Sequence, residues 1–126
     1  MFLAAGTFVL FLEHNPGVKK LSVAQTADLL SRDTSVVVID VRTPEEWNGE
    51  SGHLRNALLI PLADLPKRIP DLEQYRSRPL LVYCRSGNRS GRAANVLTDS
   101  GFNAINMVGG IRQWNAAGYP VIKVQQ

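Results

Sequence analysis

The strongest constraint on the fold is an alternation between continuous apolar runs and helical segments. The runs "SVVVIDV" (residues 35–41) and "RPLLVYC" (residues 78–84) are almost free of polar side chains. Such runs are typical of strands covered on both faces of a parallel sheet. "ALLIPL" (residues 57–62) and "NAINMVGG" (residues 103–110) continue the series. Because helical segments separate these runs, the pattern predicts an α/β domain with a mostly parallel central sheet.

The segments between the runs carry helix signals. The first places Val23, Ala24, Ala27 and Leu30 at helical spacing after Ser22, a favourable N-cap. The second begins "TP", a cap followed by proline at the first helical position. The third is broken by prolines, and the fourth ends at a glycine. The predicted helical segments are residues 21–32, 43–52, 64–75, 90–101 and 110–118.

Length, charge and cysteine content exclude several classes of protein. A chain of 126 residues has room for one hydrophobic core. The net charge is only +3, and the basic residues are scattered and not interleaved with aromatic ones, so nucleic-acid binding is not expected. A single cysteine excludes an internal disulfide and a multi-cysteine zinc site. The two histidines match no metal-ligand spacing, and no metal or organic cofactor is expected.

The first 20 residues differ from the rest of the chain. "MFLAAGTFVLFL" (residues 1–12) has no charge, but a membrane-spanning helix needs about 20 apolar residues. It is either an anchoring or export segment or a strip packed on the domain, and "EHNPGVKK" (residues 13–20) is a linker. We therefore expect a segment with linker at residues 1–20 and the domain at residues 21–126. A cytoplasmic protein is expected; the alternative is one exported, or weakly membrane-associated through residues 1–12.

The loop "CRSGNRS" (residues 84–90) concentrates the chemistry of the chain. Cys84 ends a predicted strand, and ligands of such sheets gather where the strands end. Gly87 allows a tight curl whose amides point inward, and the following helix adds its N-terminal N–H groups. Arg85 and Arg89, with Arg92 further on, would bring positive charge to the rim. We expect this ring to lower the pKa of Cys84, which otherwise would be an inert buried thiol.

The length of the loop separates two kinds of chemistry. Protein tyrosine phosphatases place five residues between cysteine and arginine, whereas four residues, 85–88, lie between Cys84 and Arg89. One residue less removes about 3.3 Å of chain. The tighter ring fits one transferred sulfur atom better than a phosphoryl group.

Four segments carry a resemblance to rhodanese-like, single-domain sulfurtransferases. The match covers roughly residues 21–121. At Arg55 and Asn56 the chain departs from the usual Pro and Gly of the family. The matching segments are "IDVRTPEEW" (residues 39–47), "GHLRNALLIPL" (52–62), "LLVYCRSGNRS" (80–90) and "VGGIRQWNAAGYPV" (108–121).

The resemblance implies a rhodanese-like sheet of about five strands with helices on both faces. It also implies that Cys84 takes a sulfane sulfur from a small anionic donor such as thiosulfate. The sulfur would pass through a persulfide to cyanide or a thiol, with a protein as a further candidate acceptor. Asp40 and Arg42 would support the loop, their alternative being an ordinary surface ion pair. The residues expected to bind substrate are Arg85, Ser86, Gly87, Asn88, Arg89 and Ser90.

Other functions remain open from the sequence alone. One is a phosphatase or arsenate reductase of the related cysteine-loop type, against which the short loop argues. Another is a protein-binding module without catalysis, against which the cysteine itself argues. Redox sensing is a further alternative, although the chain has no second cysteine to resolve an oxidised one.

Overall fold

A five-stranded, fully parallel sheet organises the chain in the computed structural model, which describes residues 18–124. The apolar segment at residues 1–12 and the first part of the predicted linker lie outside the described residues. The strand order is β1-β5-β4-β2-β3, and every neighbouring pair is parallel. This confirms the predicted fold class. The strands are β1 Lys19–Leu21, β2 Val37–Asp40, β3 Leu58–Leu59, β4 Pro79–Tyr83 and β5 Asn103–Met107.

Helices connect the strands as the capping signals predict. Ser22 and Thr43 each form a capping box with a side chain three residues on, Gln25 and Glu46. The proline-broken connection forms a 3₁₀ turn at Leu62–Asp64, one α-helical turn and a 3₁₀ segment at Ile69–Tyr75. The α-helices are α1 Val23–Arg32, α2 Pro44–Trp47, α3 Leu65–Arg68, α4 Asn88–Asp99 and α5 Gly110–Ala116.

Two apolar clusters cover the two faces of the sheet. Alternate residues of β4 serve different clusters: Leu80 and Val82 face one side, and Leu81 and Tyr83 face the other. The first side is covered by α3, α4 and the 3₁₀ segment, and the second by α1 and α5. Helices therefore lie on both faces, and β4 is buried between them.

Three local predictions need correction. "ALLIPL" forms only the half-buried edge strand Leu58–Leu59, because Pro61 has no N–H group to continue the ladder. Lys19 and Lys20, assigned to the linker, and Leu21, assigned to the first helical segment, form β1, an edge strand too short and too rich in lysine to show a strand pattern. On α1, Ala24 is exposed and Thr26 is buried instead.

The departure at Asn56 leaves the turn before β3 intact. Asn56 adopts a positive φ of 61°, a conformation that asparagine tolerates better than most residues. Asn56 thus forms this turn without the glycine that the resemblance leads one to expect at this position.

The topology brings the predicted site together at one edge of the sheet. Asp40 ends β2, Cys84 follows β4, and the Gly109–Gly110 turn follows β5. Since β2, β4 and β5 are parallel neighbours, these three positions meet at the carboxyl end of the sheet. None of the helices described between residues 18 and 124 combines the length and apolar composition needed to cross a bilayer.

Candidate active site

Cys84 lies at the floor of a tight backbone loop between β4 and α4. Only 1% of the residue is exposed. Its Sγ accepts hydrogen bonds from the backbone N–H groups of Gly87, at 3.1 Å, and Ser90, at 3.4 Å. The Ser90 hydroxyl oxygen also lies 3.4 Å from Sγ. The sulfur therefore faces the inward-pointing amides that the sequence predicts.

The curl of the loop has two backbone causes. Gly87 caps α4 with a φ of 108°, so the helix begins at Asn88, slightly earlier than the predicted start near Ser90. From the other side, the first N–H groups of α5 bind the loop carbonyls: Ile111 N donates to Cys84 O at 2.9 Å and Arg112 N to Arg85 O at 3.1 Å. With these carbonyls drawn outward, the loop N–H groups turn toward the sulfur.

Hydrogen bonds to the sulfur change the pKa of Cys84 more than its burial does. Burial raises the pKa of the Cys84 thiol, whereas hydrogen bonds from the Ser90 hydroxyl and from the N–H groups of Ser90, Gly87 and Ser86 lower it. The net pKa lies below the ordinary value of the thiol. The loop thus favours the thiolate, which is the nucleophilic form of cysteine.

Arg89 is held by a carboxylate and is not a free cation on the rim. Its two terminal nitrogens donate to the two oxygens of Glu46, at 2.7 and 2.8 Å. This bond to Arg89 is the main reason that the pKa of Glu46 falls to about 2. Glu46 also caps α2 through Thr43, so the ion pair ties α2 to the start of α4.

Asp40 and Arg42 form a buried ion pair beneath the site, not the surface pair that was the alternative. Their side chains are 0% and 1% exposed, and Arg42 Nη2 lies 2.7 Å from Asp40 Oδ2. Arg42 also donates to Ser51 Oγ and to the carbonyl of Gly52. The guanidinium therefore links the end of β2 to the chain that leads to β3.

The other predicted loop residues surround the sulfur. Arg85, Ser86 and Asn88 are exposed, Gly87 is half-buried and Ser90 is fully buried. Ser86, Gly87 and Asn88 line one depression beside the loop, and Arg85 lines another. The structure thus gathers residues 84–90 around one point, with Asp40 and Arg42 behind them.

Sequence reasoning missed two parts of this site. Asn106 is buried on β5, where its Nδ2 donates to Gly87 O at 3.2 Å and its Oδ1 accepts from Ser90 Oγ at 2.6 Å. A polar residue inside an apolar strand was the available signal. The start of α5 is the other part, and its signal was the pair Gly109–Gly110, both with positive φ. Within residues 18–124, no group of three or more His, Cys, Asp or Glu side chains is arranged to hold a metal ion.

The chain belongs to the family of rhodanese-like domains, whose family model matches residues 22–117. A protein named sulfurtransferase from Allochromatium vinosum is 30% identical over 106 residues, which cover 83% of this chain and 95% of that protein. A rhodanese-related protein of known structure from Thermoplasma volcanium is 31% identical, with a TM-score of 0.72 over 81% of this chain and 95% of that one.

Other relatives are longer than this chain. An uncharacterised protein of Synechocystis sp. is 35% identical over 103 residues, and the match spans 80% of this chain but only 55% of that protein. The family and the fold are therefore shared with proteins of more than one overall length.

Proposed function

We propose that the protein is a thiosulfate-type sulfurtransferase that carries sulfane sulfur as a persulfide on Cys84. One observation carries the proposal: Sγ of the cysteine that follows β4 accepts hydrogen bonds from the backbone N–H groups of Gly87 and Ser90. This environment favours a thiolate and offers donors to any negative charge that forms on an added sulfur. The sulfurtransferase names of relatives support the same class of reaction.

In the first step, the Cys84 thiolate attacks the outer sulfur of thiosulfate. A new S–S bond forms between Sγ and that sulfur, and the S–S bond of thiosulfate breaks. Its electron pair leaves with sulfite, so that a persulfide anion and the sulfite dianion result. The step moves no proton, so it needs no general base.

In the second step, an acceptor takes the outer sulfur from the persulfide. Cyanide attacks it to give thiocyanate, or a thiolate attacks it to give a new persulfide, and the electron pair of the broken S–S bond returns to Cys84. Ser86, Gly87 and Ser90 would hold the loaded sulfur through N–H groups, and Arg89 would keep the loop in place through Glu46. A thiol on another protein would accept the sulfur by the same reaction.

The test is turnover of thiosulfate and cyanide to thiocyanate by the full chain and by Cys84→Ser. Serine keeps the size of the side chain and removes the sulfur, so activity should fall to background. A matched control is Ser31→Ala, which changes an exposed residue of α1 far from the loop. Full activity in Cys84→Ser would refute the proposal, and so would hydrolysis of an aryl phosphate that depends on Cys84 in place of sulfur transfer.

A further inference from the structure

Two of the arginines that the sequence places at the site are held by other side chains. Both terminal nitrogens of Arg89 bind Glu46, and Arg42 is held by Asp40, Ser51 and Gly52. The charge that attracts an anionic donor must therefore come from other side chains.

Two other arginines border a depression of about 430 Å³ beside the loop. Arg85 and Arg112 both line it and are joined by the hydrogen bond from Arg112 N to Arg85 O, at 3.1 Å. Both side chains are exposed, and neither forms a salt bridge with any residue between 18 and 124. Glu50 lines the same depression, and Glu46 there is neutralised by Arg89. Two cations thus face one unpaired carboxylate.

We propose that Arg112, with Arg85, forms a subsite for the anionic end of the sulfur donor. The ligand class is a small oxyanion such as the sulfonate group of thiosulfate, which would sit in the depression while its outer sulfur reaches Cys84. This inference rests on the proposed function and adds a substrate-binding residue from α5, outside the cysteine loop.

The test compares the rate at which Cys84 reacts with thiosulfate and with an uncharged organic trisulfide, in the intact chain and in Arg112→Gln. With the trisulfide, Cys84 attacks the central sulfur and forms Cys84 Sγ–S–S–R as the thiolate RS⁻ leaves. At limiting concentrations of the donor, loading by thiosulfate should fall about 2- to 5-fold, and by less at high salt, because an exposed charge is lost. Loading by the trisulfide should not change. Arg55→Gln is the matched control, since Arg55 is an exposed arginine that lines neither of the two depressions beside the loop.

The outcomes separate the subsite from the function. An equal fall for both donors, or an equal fall in Arg55→Gln, would overturn the subsite while leaving sulfur transfer standing. If the unaltered chain takes sulfur from neither donor, the proposed function fails first.

A second inference comes from the hydrogen bonds behind the sulfur. The Gly87 carbonyl can only accept, so the Asn106 amide must turn its Nδ2 toward it and its Oδ1 toward Ser90. The Ser90 hydroxyl has one proton, and at 2.6 Å it donates that proton to Asn106 Oδ1, while Sγ lies farther away at 3.4 Å. The hydroxyl can donate to a thiolate only by leaving Asn106.

We infer that Asn106 is a positioning residue that binds the proton of the Ser90 hydroxyl while the thiol of Cys84 is neutral, so that this hydroxyl donates to the sulfur only once the thiolate has formed. When the thiol ionises, the hydroxyl turns to the thiolate and the buried amide oxygen loses its donor. Asn106 therefore opposes ionisation, although it also steadies the loop through Gly87. The inference rests on Cys84 being the reactive sulfur, but it concerns ionisation and not sulfur transfer.

The test is a double-mutant cycle in which the thiol is titrated by its rate of alkylation with iodoacetamide against pH. The chain has one cysteine, so the rate reports Cys84 alone. Asn106→Ala should lower the thiol pKa by about 0.4–1 unit, which is the size of one neutral hydrogen bond. The shift should vanish in the Ser90→Ala background, because no hydroxyl is left to release.

A purely structural role would give a different pattern. Loosening the loop would remove N–H donors and raise the thiol pKa whether or not Ser90 is present. An upward shift, or the same shift in both backgrounds, would overturn the inference. Should Asn106→Ala fail to fold, Asn106→Leu fills the space and carries the same prediction. Arg89, whose charge interacts with Cys84, stays unchanged in every variant, and so do the other charged side chains of the surrounding elements: Asp40, Arg42, Glu46, Arg85 and Arg112.

Discussion

Replacing Asp40 with asparagine should destabilise the domain far more than breaking a surface ion pair. Asp40 accepts hydrogen bonds from the backbone N–H, Nε and Nη2 of Arg42, at 2.7 to 3.1 Å. Asp40→Asn removes the negative charge and turns an NH₂ group toward the guanidinium, which remains buried. Removing one partner of a buried ion pair costs about 3–5 kcal/mol, because the other charge is left uncompensated.

The loss is large enough to measure by heat or denaturant. For a domain of this size, roughly 3–5 °C of melting temperature corresponds to each kcal/mol, so Tm should fall by roughly 10–20 °C. The matched control is Asp28→Asn, which breaks the Arg32–Asp28 pair on α1, whose side chains are 64% and 66% exposed. That change should cost less than about 0.5 kcal/mol.

The comparison also tests how the site is supported. If Asp40→Asn lowers the free energy of unfolding no more than Asp28→Asn, the pair does not behave as a buried charge and the reasoning is refuted. In a variant that still folds at low temperature, reaction of Cys84 with thiosulfate should slow, since Arg42 ties the end of β2 to the chain before β3.

Three further predictions follow from single contacts. Arg89 lowers the pKa of Glu46 from 4.5 to about 2. The natural chain should therefore be more stable than Glu46→Gln by its full amount above about pH 4.5, and this difference should shrink as the pH falls toward 2. Urea unfolding at several pH values measures the difference, and a difference that does not change with pH would contradict the prediction. Gly110 has a φ of 63°, and the Cβ added by Gly110→Ala would lie 2.7 Å from the Cys84 carbonyl oxygen. The substitution should therefore lower the free energy of unfolding by more than about 1 kcal/mol and slow alkylation of the thiol at pH 7. An unchanged rate and stability would argue against the packing of α5 on the loop. Tyr83→Phe leaves the buried Leu54 N–H without its acceptor and should lower the free energy of unfolding by about 1–3 kcal/mol, measured by urea denaturation, with no loss as the contrary result.

The fold was predictable where burial or capping requires particular types of residue. The runs that form β2 and β4 are apolar because both of their faces are covered. Ser22 and Thr43 indicate where helices begin, because each caps its helix through local hydrogen bonds. Strand β1 was not predictable in this way. It is a three-residue edge strand that pairs with β5 mainly through backbone groups, which any residue can supply.

The site was predictable in its centre and not in its surroundings. Cys84 and Gly87 are only three residues apart in the chain, so their spacing already implies a curl. The partner of Arg89 was missed because Glu46 lies 43 residues away, on a separate short helix. Asn106 was missed for the same reason, since only the sheet places it behind the loop.

The most direct test of the account is the intact mass of the protein after treatment with thiosulfate. The account predicts that the natural chain gains the mass of one sulfur atom, that cyanide removes it, and that Cys84→Ser gains nothing. No gain in the natural chain, or the same gain in Cys84→Ser, would contradict the claim that this loop carries a sulfur on its cysteine.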